Sequence, residues 1–595
     1  MDFDKRTIIA FLLIGLVLIF VQTPLYKKIF LPEAYKQEIA QKRALETAQT
    51  NPDSITVPPI KTAPEKNPDI SASDAQSDPL QSTQRNVIPM ETPSLVPDEL
   101  PEKTIRVESE HYSAVFSSQG ASLIEWVLKD YDGPNNQPLQ MLPDDAYGTL
   151  GISFVNPSGD TIQTRNWSFT PDRQSDIVLS GNEEKRLLFR TTLDGNQVIE
   201  KEFIFKNQYY AFDMNVTLKN MGDMIADKSY FINAPAGLLP TEKRIEDDMY
   251  YAKAVVSAGE DVEKGYKPNG EWHTEKGTIN WIAARTKYFM LAIIPREKRG
   301  SGANVYGEKI PITENREEWK KFNIQLVMPY LNNRLEQQQF TVYFGPLDVD
   351  VLKAYQVNLE KAMDFGAKIL QPFSYAILWT FKFIHNFIPN YGIVIIIFSF
   401  LIKILVYPLT HKSYVSMKKM QSLSPKLNEL REKYGKDPQR MNKETMKLYK
   451  EQGVNPLGGC LPMLLQMPLL WGLFIVFRST IELRGEGFLL WINDLSAPDT
   501  IATLPFSIPL YGDMVNILPL IMGATMLLQQ KMTTTDPKQK AMVYLMPIFL
   551  TLLFNRFPSG LNLYYALFNI LSILQQKYLI KDPGEEKKEV KKKRL

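Results

Sequence analysis

Five long apolar runs crowd the C-terminal third of this chain and limit what it can fold into more than any other feature. They span Tyr391–Pro408, Pro456–Phe477, Val515–Gln530, Met542–Phe557 and Leu561–Ile580. Several sit near the short limit of about 17–25 residues for a helix crossing hydrocarbon. Their backbones have no water to bond to in a bilayer, so each must satisfy its own amides as a helix. Pro462, Pro468, Pro519 and Pro547 fall inside the runs, where neighbouring helices and local adjustments make proline tolerable. The intervening segments alternate in charge. His411–Gly453, KMTTTDPKQK and the tail KDPGEEKKEVKKKRL are basic, whereas Ile481–Asp513 carries Glu482, Glu486, Asp494, Asp499 and Asp513. Basic loops stay in the cytoplasm. A further apolar run, Ile8–Val21, follows Lys5 and Arg6 and precedes QTPLYK rather than a small-residue cleavage site, so it reads as an uncleaved anchor. The pattern predicts six transmembrane helices with both termini cytoplasmic.

The polar remainder divides by composition. After the anchor (1–26), the segment 27–103 is rich in Pro, Ser, Asp and Gln and too poor in apolar residues to offset ordering entropy; it predicts a disordered tether. From 104 to 347 short alternating runs recur between turn residues. In Tyr210–Leu218, Phe212, Met214, Val216 and Leu218 alternate with small or polar residues. This text predicts a large antiparallel β-sandwich on the outer side of the membrane. Residues 348–388 read as helical: VDVLKAYQVNLEKAMDFG as one helix, then ILQPFSYAILWTFKFIHNF as an amphipathic helix lying at the interface, with Lys382 and His385 interspersed. A five-helix core (389–580) follows, then a basic cytoplasmic tail (581–595). Within the core, 411–453 predicts a cytoplasmic helical hairpin, kinked at Ser424-Pro425, that bears Lys418, Lys419, Lys426 and Arg431.

Several kinds of chemistry are excluded. A net charge of +2 over 595 residues gives no electrostatic case for DNA. The single cysteine, Cys460, permits neither an internal disulfide nor a cysteine metal site, and four scattered histidines suggest no metal either. GANVYGEK fails as a phosphate loop because Glu308 stands where lysine must follow the glycine. No catalytic signature is present. Trp126, Trp272 and Trp281 read as core residues rather than a sugar platform, and Glu246-Asp247-Asp248 as a solvated surface.

The membrane text is more specific. Lys403 interrupts the run FSFLIKILVYPLT, and Ser399 lies four residues before it, about 6 Å away on the same helix face. Gln466, Asn562, Tyr564, Tyr565 and Asn569 add polarity to later runs. At 1.5 Å per residue Lys403 stands about 7 Å from Pro408 and about 18 Å from Tyr391. The ammonium could snorkel to the cytoplasmic headgroups. Alternatively it faces a bundle interior or a wet cavity, the usual place of an intramembrane charge.

The order YPLT…KMQSLSPKLNELREKYG…NPLGGCLPMLLQMPLLWGLF…LLWINDLSAPD…FPSGLNLYYALFNILSILQQ resembles the YidC-type membrane protein insertases, in their Gram-negative form. The resemblance covers the whole chain. It implies a periplasmic β-supersandwich and five core helices around a hydrophilic groove, without enzymatic activity or cofactor. Lys403 matches the groove's basic position, which is arginine in the Gram-negative form; lysine keeps the charge and loses the planar fork. Ser399, Gln466, Tyr564 and Tyr565 match groove or substrate-contact positions. The implied partners are nascent membrane proteins, the Sec translocon, the ribosome through the basic tail and loops, and the inner-membrane lipid. A secondary transporter or channel is the alternative, yet neither paired ionisable residues nor repeated halves are visible.

Overall fold

Alternating buried and half-buried side chains fold residues 104–346 into strands. The computed structural model describes residues 100–193, 196–207, 210–312, 317–435, 437–454, 461–509, 511–533 and 540–580. The predicted anchor, nearly all of the tether, the basic tail and Cys460 lie outside the described residues. Two sheets, of 14 and 5 strands, face each other. In the larger, Ala211–Lys219 pairs antiparallel with Val198–Lys206 and with Leu335–Pro346. Phe212, Met214, Val216 and Leu218 all point into the core, at 3% exposure or less. From the smaller sheet, Phe116 packs 4.6 Å from Phe203, and Trp126 stacks between Tyr112 (4.3 Å) and Phe344 (5.1 Å). This is the predicted β-sandwich. Among the described residues its strands pair antiparallel except where Val107 and Glu108 run alongside Ile177 and Val178.

Three local expectations change. Trp126 and Trp281 are buried, but Trp272 is 50% exposed and is no core residue. Asp248 is not on a solvated surface: it is fully buried in the short helix α1 (Ile245–Tyr251). There it accepts hydrogen bonds from Thr241 Oγ1 (2.9 Å) and the Lys287 amide (2.7 Å), which supply the donors a buried carboxylate requires. The single helix expected from Val349 to Gly366 breaks after α2 (Val349–Ala354). Gln356 and Asn358 both adopt left-handed backbone at φ 57°, and the Trp281 indole donates to the Val357 carbonyl at 2.9 Å. A side chain from the sandwich thus captures a carbonyl that a continuous helix would need.

The helices that follow are α3 (Gln371–His385), α4 (Tyr391–Ser422), α5 (Ser424–Tyr434), α6 (Pro438–Glu451), α7 (Leu461–Ser479), α8 (Ile517–Thr533), α9 (Lys540–Phe554) and α10 (Ser559–Leu574). Among the described residues, α4 is the helix whose length and apolarity suffice by themselves to cross a membrane. α4 does not end at Pro408, as the sequence suggested; it runs 32 residues, about 48 Å. Its last turns therefore extend beyond about 30 Å of hydrocarbon and carry the α5–α6 hairpin. Lys418 and Lys419 ride on α4 itself, and Lys426 and Arg431 on α5.

Hydrogen bonds at the two ends orient the bundle. At one end Gln421 donates to the Met532 carbonyl and Lys418 to the Ile580 carbonyl, at 2.7 and 2.6 Å. At the other, Arg484 pairs with Glu242 of the sandwich at 2.7 Å and donates to the carbonyls of Asp132 and Thr241. The sandwich and the α5–α6 hairpin thus occupy opposite ends.

Candidate functional site

α4 and α10 run side by side and in the same direction, with Phe398 beside Tyr564, Lys403 beside Phe568 and Ser572, and Thr410 beside Gln575. Their facing sides carry polar residues among apolar ones, Ser399, Lys403 and Thr410 on α4 and Ser572 on α10, all buried, whereas Asn569 of α10 turns to α8 and donates to Thr525 Oγ1 at 3.3 Å. A polar seam follows, continued by Gln575 just beyond α10.

Lys403 is the charge in that seam. It is 8% exposed, and its Nζ donates to Ser572 Oγ at 2.7 Å. Ser572 spends its own proton on the Phe568 carbonyl at 2.7 Å, so its lone pairs are left for the ammonium. The Phe568 and Tyr414 rings stand 4.7 and 5.7 Å from Nζ, within reach of cation–π attraction. No carboxylate pairs with Lys403 among the described residues. The ammonium turns across to α10.

The other predicted residues divide. Ser399 sits one turn outward, fully buried, and donates to the Ile395 carbonyl of its own helix. Tyr564 is fully buried against Phe398, and its hydroxyl has no hydrogen-bond partner among the described residues. Tyr565 points elsewhere, edge-on to Phe554 at 5.1 Å. Gln466 lies on α7, with its side chain outside the described residues. Asn562 takes a local role, donating to the Phe554 and Phe557 carbonyls at 3.2 and 3.3 Å and so closing the α9–α10 turn. Ser572, Gln575 and Thr410 were not singled out in the sequence. The three-residue spacing of Ser572 and Gln575, which puts two polar side chains on one helix face among apolar neighbours, is the signal that could have revealed those two.

At the outer end, a second charged cluster fixes α3. Lys382 pairs with Asp348 (3.3 Å), Asp350 (2.6 Å) and Glu482 (2.9 Å). Burial alone would lower the Lys382 pKa, but attraction to Glu482 and the two aspartates outweighs it and holds the ammonium above its ordinary value. Burial pushes the Glu482 carboxyl up, against the pull of Lys382. Away from its buried face of Ile377, Leu378, Phe381 and Ile384, α3 exposes Phe373, Trp379 and Phe383. That distribution suits a helix lying on a membrane surface.

Fold and seam together define a helical membrane protein that carries a large β-sandwich outside the bilayer. The 60Kd inner membrane protein family model matches residues 383–587, and the YidC periplasmic domain model matches residues 104–380. A membrane protein insertase YidC from Chlorobaculum tepidum is 34% identical over 595 residues, covering 98% of this chain and 96% of the relative. One from Prosthecochloris aestuarii is 38% identical, covering 81% of this chain and 83% of the relative. The chain belongs to the YidC family of membrane protein insertases, and its sandwich is the family's periplasmic domain. A crystal structure of an active YidC insertase with its first transmembrane domain resolved covers 82% of this chain and 95% of its own, at 19% identity and a TM-score of 0.35. That likeness is too loose to add to the assignment.

Proposed function

We propose that this chain inserts and assembles nascent inner-membrane proteins through the α4–α10 seam, alone or beside the Sec translocon. The observation that carries the reading is a buried cation whose partners are all neutral. Lys403 is held by one hydroxyl and two ring faces, and a carboxylate on an incoming chain would add what these neutral partners lack, the attraction of a full opposite charge in a site shielded from water. A client's short acidic tail must otherwise cross about 30 Å of hydrocarbon, and a polar seam reaching from the cytoplasmic end shortens that path. The apolar client helix then packs against the exposed outer faces of the bundle and partitions into lipid. Six spans with both termini in the cytoplasm put the basic tail and the α5–α6 hairpin, with Lys426 and Arg431, where a ribosome delivers its chain. The process asks for no metal or cofactor. Ser399 and Tyr564 line the same seam; Gln466 and Tyr565 are contact positions for the client.

Photocrosslinking from Ser399, Gln466, Tyr565 and Ser572 to a stalled nascent chain tests this reading. Adducts at Ser399 and Ser572 are expected when the client tail is acidic. Their absence in a crosslinking series that succeeds at Gln466 and Tyr565 would remove the seam from the path.

A further inference from the structure

The connection between α7 and α8 contains a structure that the insertion reading does not use. Thr500–Ile508 and Gly512–Asn516 form a two-stranded antiparallel hairpin. Its first strand is exposed along its length apart from the half-buried Leu504, and Ile501, Phe506 and Ile508 are 51%, 62% and 37% exposed. Thr500–Gly512 contains no charged residue. A water-facing hairpin normally turns its apolar side chains to one packed face; here Ile501, Phe506 and Ile508 stay exposed, with Thr503 and Ser507 the polar side chains between them.

The hairpin is also held still. Asp499, just before the first strand, accepts from the Ile517 and Leu518 amides at 3.1 and 2.7 Å and so caps α8, the helix that follows the second strand. The same carboxylate accepts from the Trp491 indole at 2.9 Å. Asn555, in the α9–α10 turn, donates to the Tyr511 and Met514 carbonyls at 3.0 and 2.8 Å. Trp491 belongs to a turn that exposes Leu489 and Leu490 at 60% and 86%, and Leu490 adopts a left-handed φ of 59°. A branched residue rarely takes that conformation. Two exposed apolar loops are thus locked to the outer ends of the helices.

We propose that this hairpin and the Leu489–Leu490 turn form an apolar paddle that dips into the outer leaflet of the bilayer. Continuity with the membrane span fixes the level: the second strand enters α8 at Ile517 with no residue between. Edge chemistry selects lipid over another protein strand. Pro505 and Pro509 lack donors, and the pairing register slips between Thr503 and Ile508, so the edge is a poor template for strand addition. The unpaired backbone of a two-stranded sheet keeps it out of the deep hydrocarbon. The paddle therefore sits at the boundary of headgroup and acyl chain, with Tyr511 at its tip suited to that layer.

The test uses the full chain in liposomes of phosphatidylethanolamine and phosphatidylglycerol. Cys460→Ser supplies a cysteine-free background, and Phe506→Cys or Leu490→Cys then carries an environment-sensitive fluorophore, with Glu260→Cys, on an exposed turn of the sandwich, as the aqueous control. Blue-shifted emission at 506 and 490, quenching by lipids spin-labelled high on the acyl chain, and loss of iodide quenching relative to 260 are expected. Iodide quenching at 506 equal to that at 260 would overturn the proposal. So would protection that develops only when a client or a second copy is added, which would make the paddle a protein-docking surface.

Discussion

Lys403 and Lys201 show how differently two buried ammonium groups can be used. In the seam, Lys403→Arg retains the charge and is expected to support insertion of an acidic-tailed client, whereas Lys403→Glu lowers it by about tenfold or more, the loss of about 1.4 kcal/mol of attraction. Ser572→Ala removes only a neutral placeholder, so it leaves insertion near the level of the unsubstituted chain; a pulse-labelled protease-protection assay reads all three. Lys201 is fully buried inside the sandwich, where its Nζ donates to the Gly120 and Ala121 carbonyls. These follow from a turn with φ of 70° and 44°, which points two carbonyls inward. Burial pushes the Lys201 pKa down to about 7. A depressed folded value means that the unfolded chain binds the proton more tightly, so stability is lost as pH falls through about 7 and is gained as pH rises towards the ordinary lysine range. The periplasmic domain is expected to melt at a higher temperature at pH 9 than at pH 6.5. Lys201→Met should flatten that difference, as followed by scanning calorimetry.

Helix packing depends on small residues at close approaches. A Cβ on Gly523 of α8 would collide with Thr551 Oγ1 of α9, and one on Gly392 at the start of α4 would collide with the Phe488 ring. Without a hydrophobic drive between helices in lipid, such close approach supplies the packing energy. Gly523→Leu is therefore expected to part α8 from α9 and cost about 1–3 kcal/mol, read as a lower melting temperature in detergent. The helices also show where sequence patterns mislead. Pro408 resembles a stop signal, yet α4 continues through it to Ser422, because the following residues keep forming helix and extend out of the bilayer. The text from Val349 to Gly366 has helical periodicity, yet the Trp281 indole and two left-handed residues break it. Hydrophobic period reports a helix's face; its ends are set by partners from elsewhere in the chain.

Across the whole molecule, the sandwich is fastened to the membrane core by a few buried charges. Arg484 reaches from the α7–α8 connection to Glu242, and its guanidinium also lies 5.1 Å from the Phe289 ring centroid. With side-chain exposures of 10% and 14%, that pair is shielded from salt. Arg484→Ala leaves a buried carboxylate without its cation and is expected to cost about 3 kcal/mol of docking, seen as faster proteolysis at the 347–370 connection with little change in the melting of the sandwich itself. The sequence alone determined the β-sandwich, the apolar runs, the charge alternation of their loops and the family, because each is written in local period and composition. It also singled out Lys403, since a cation in hydrocarbon is conspicuous by cost alone. Only the tertiary structure decided that Lys403 turns to Ser572, that Tyr565 faces Phe554, that Asp248 is buried, and that Arg484 finds Glu242. Those pairings join residues far apart in the chain, and local periodicity holds no information about which distant side chain meets another.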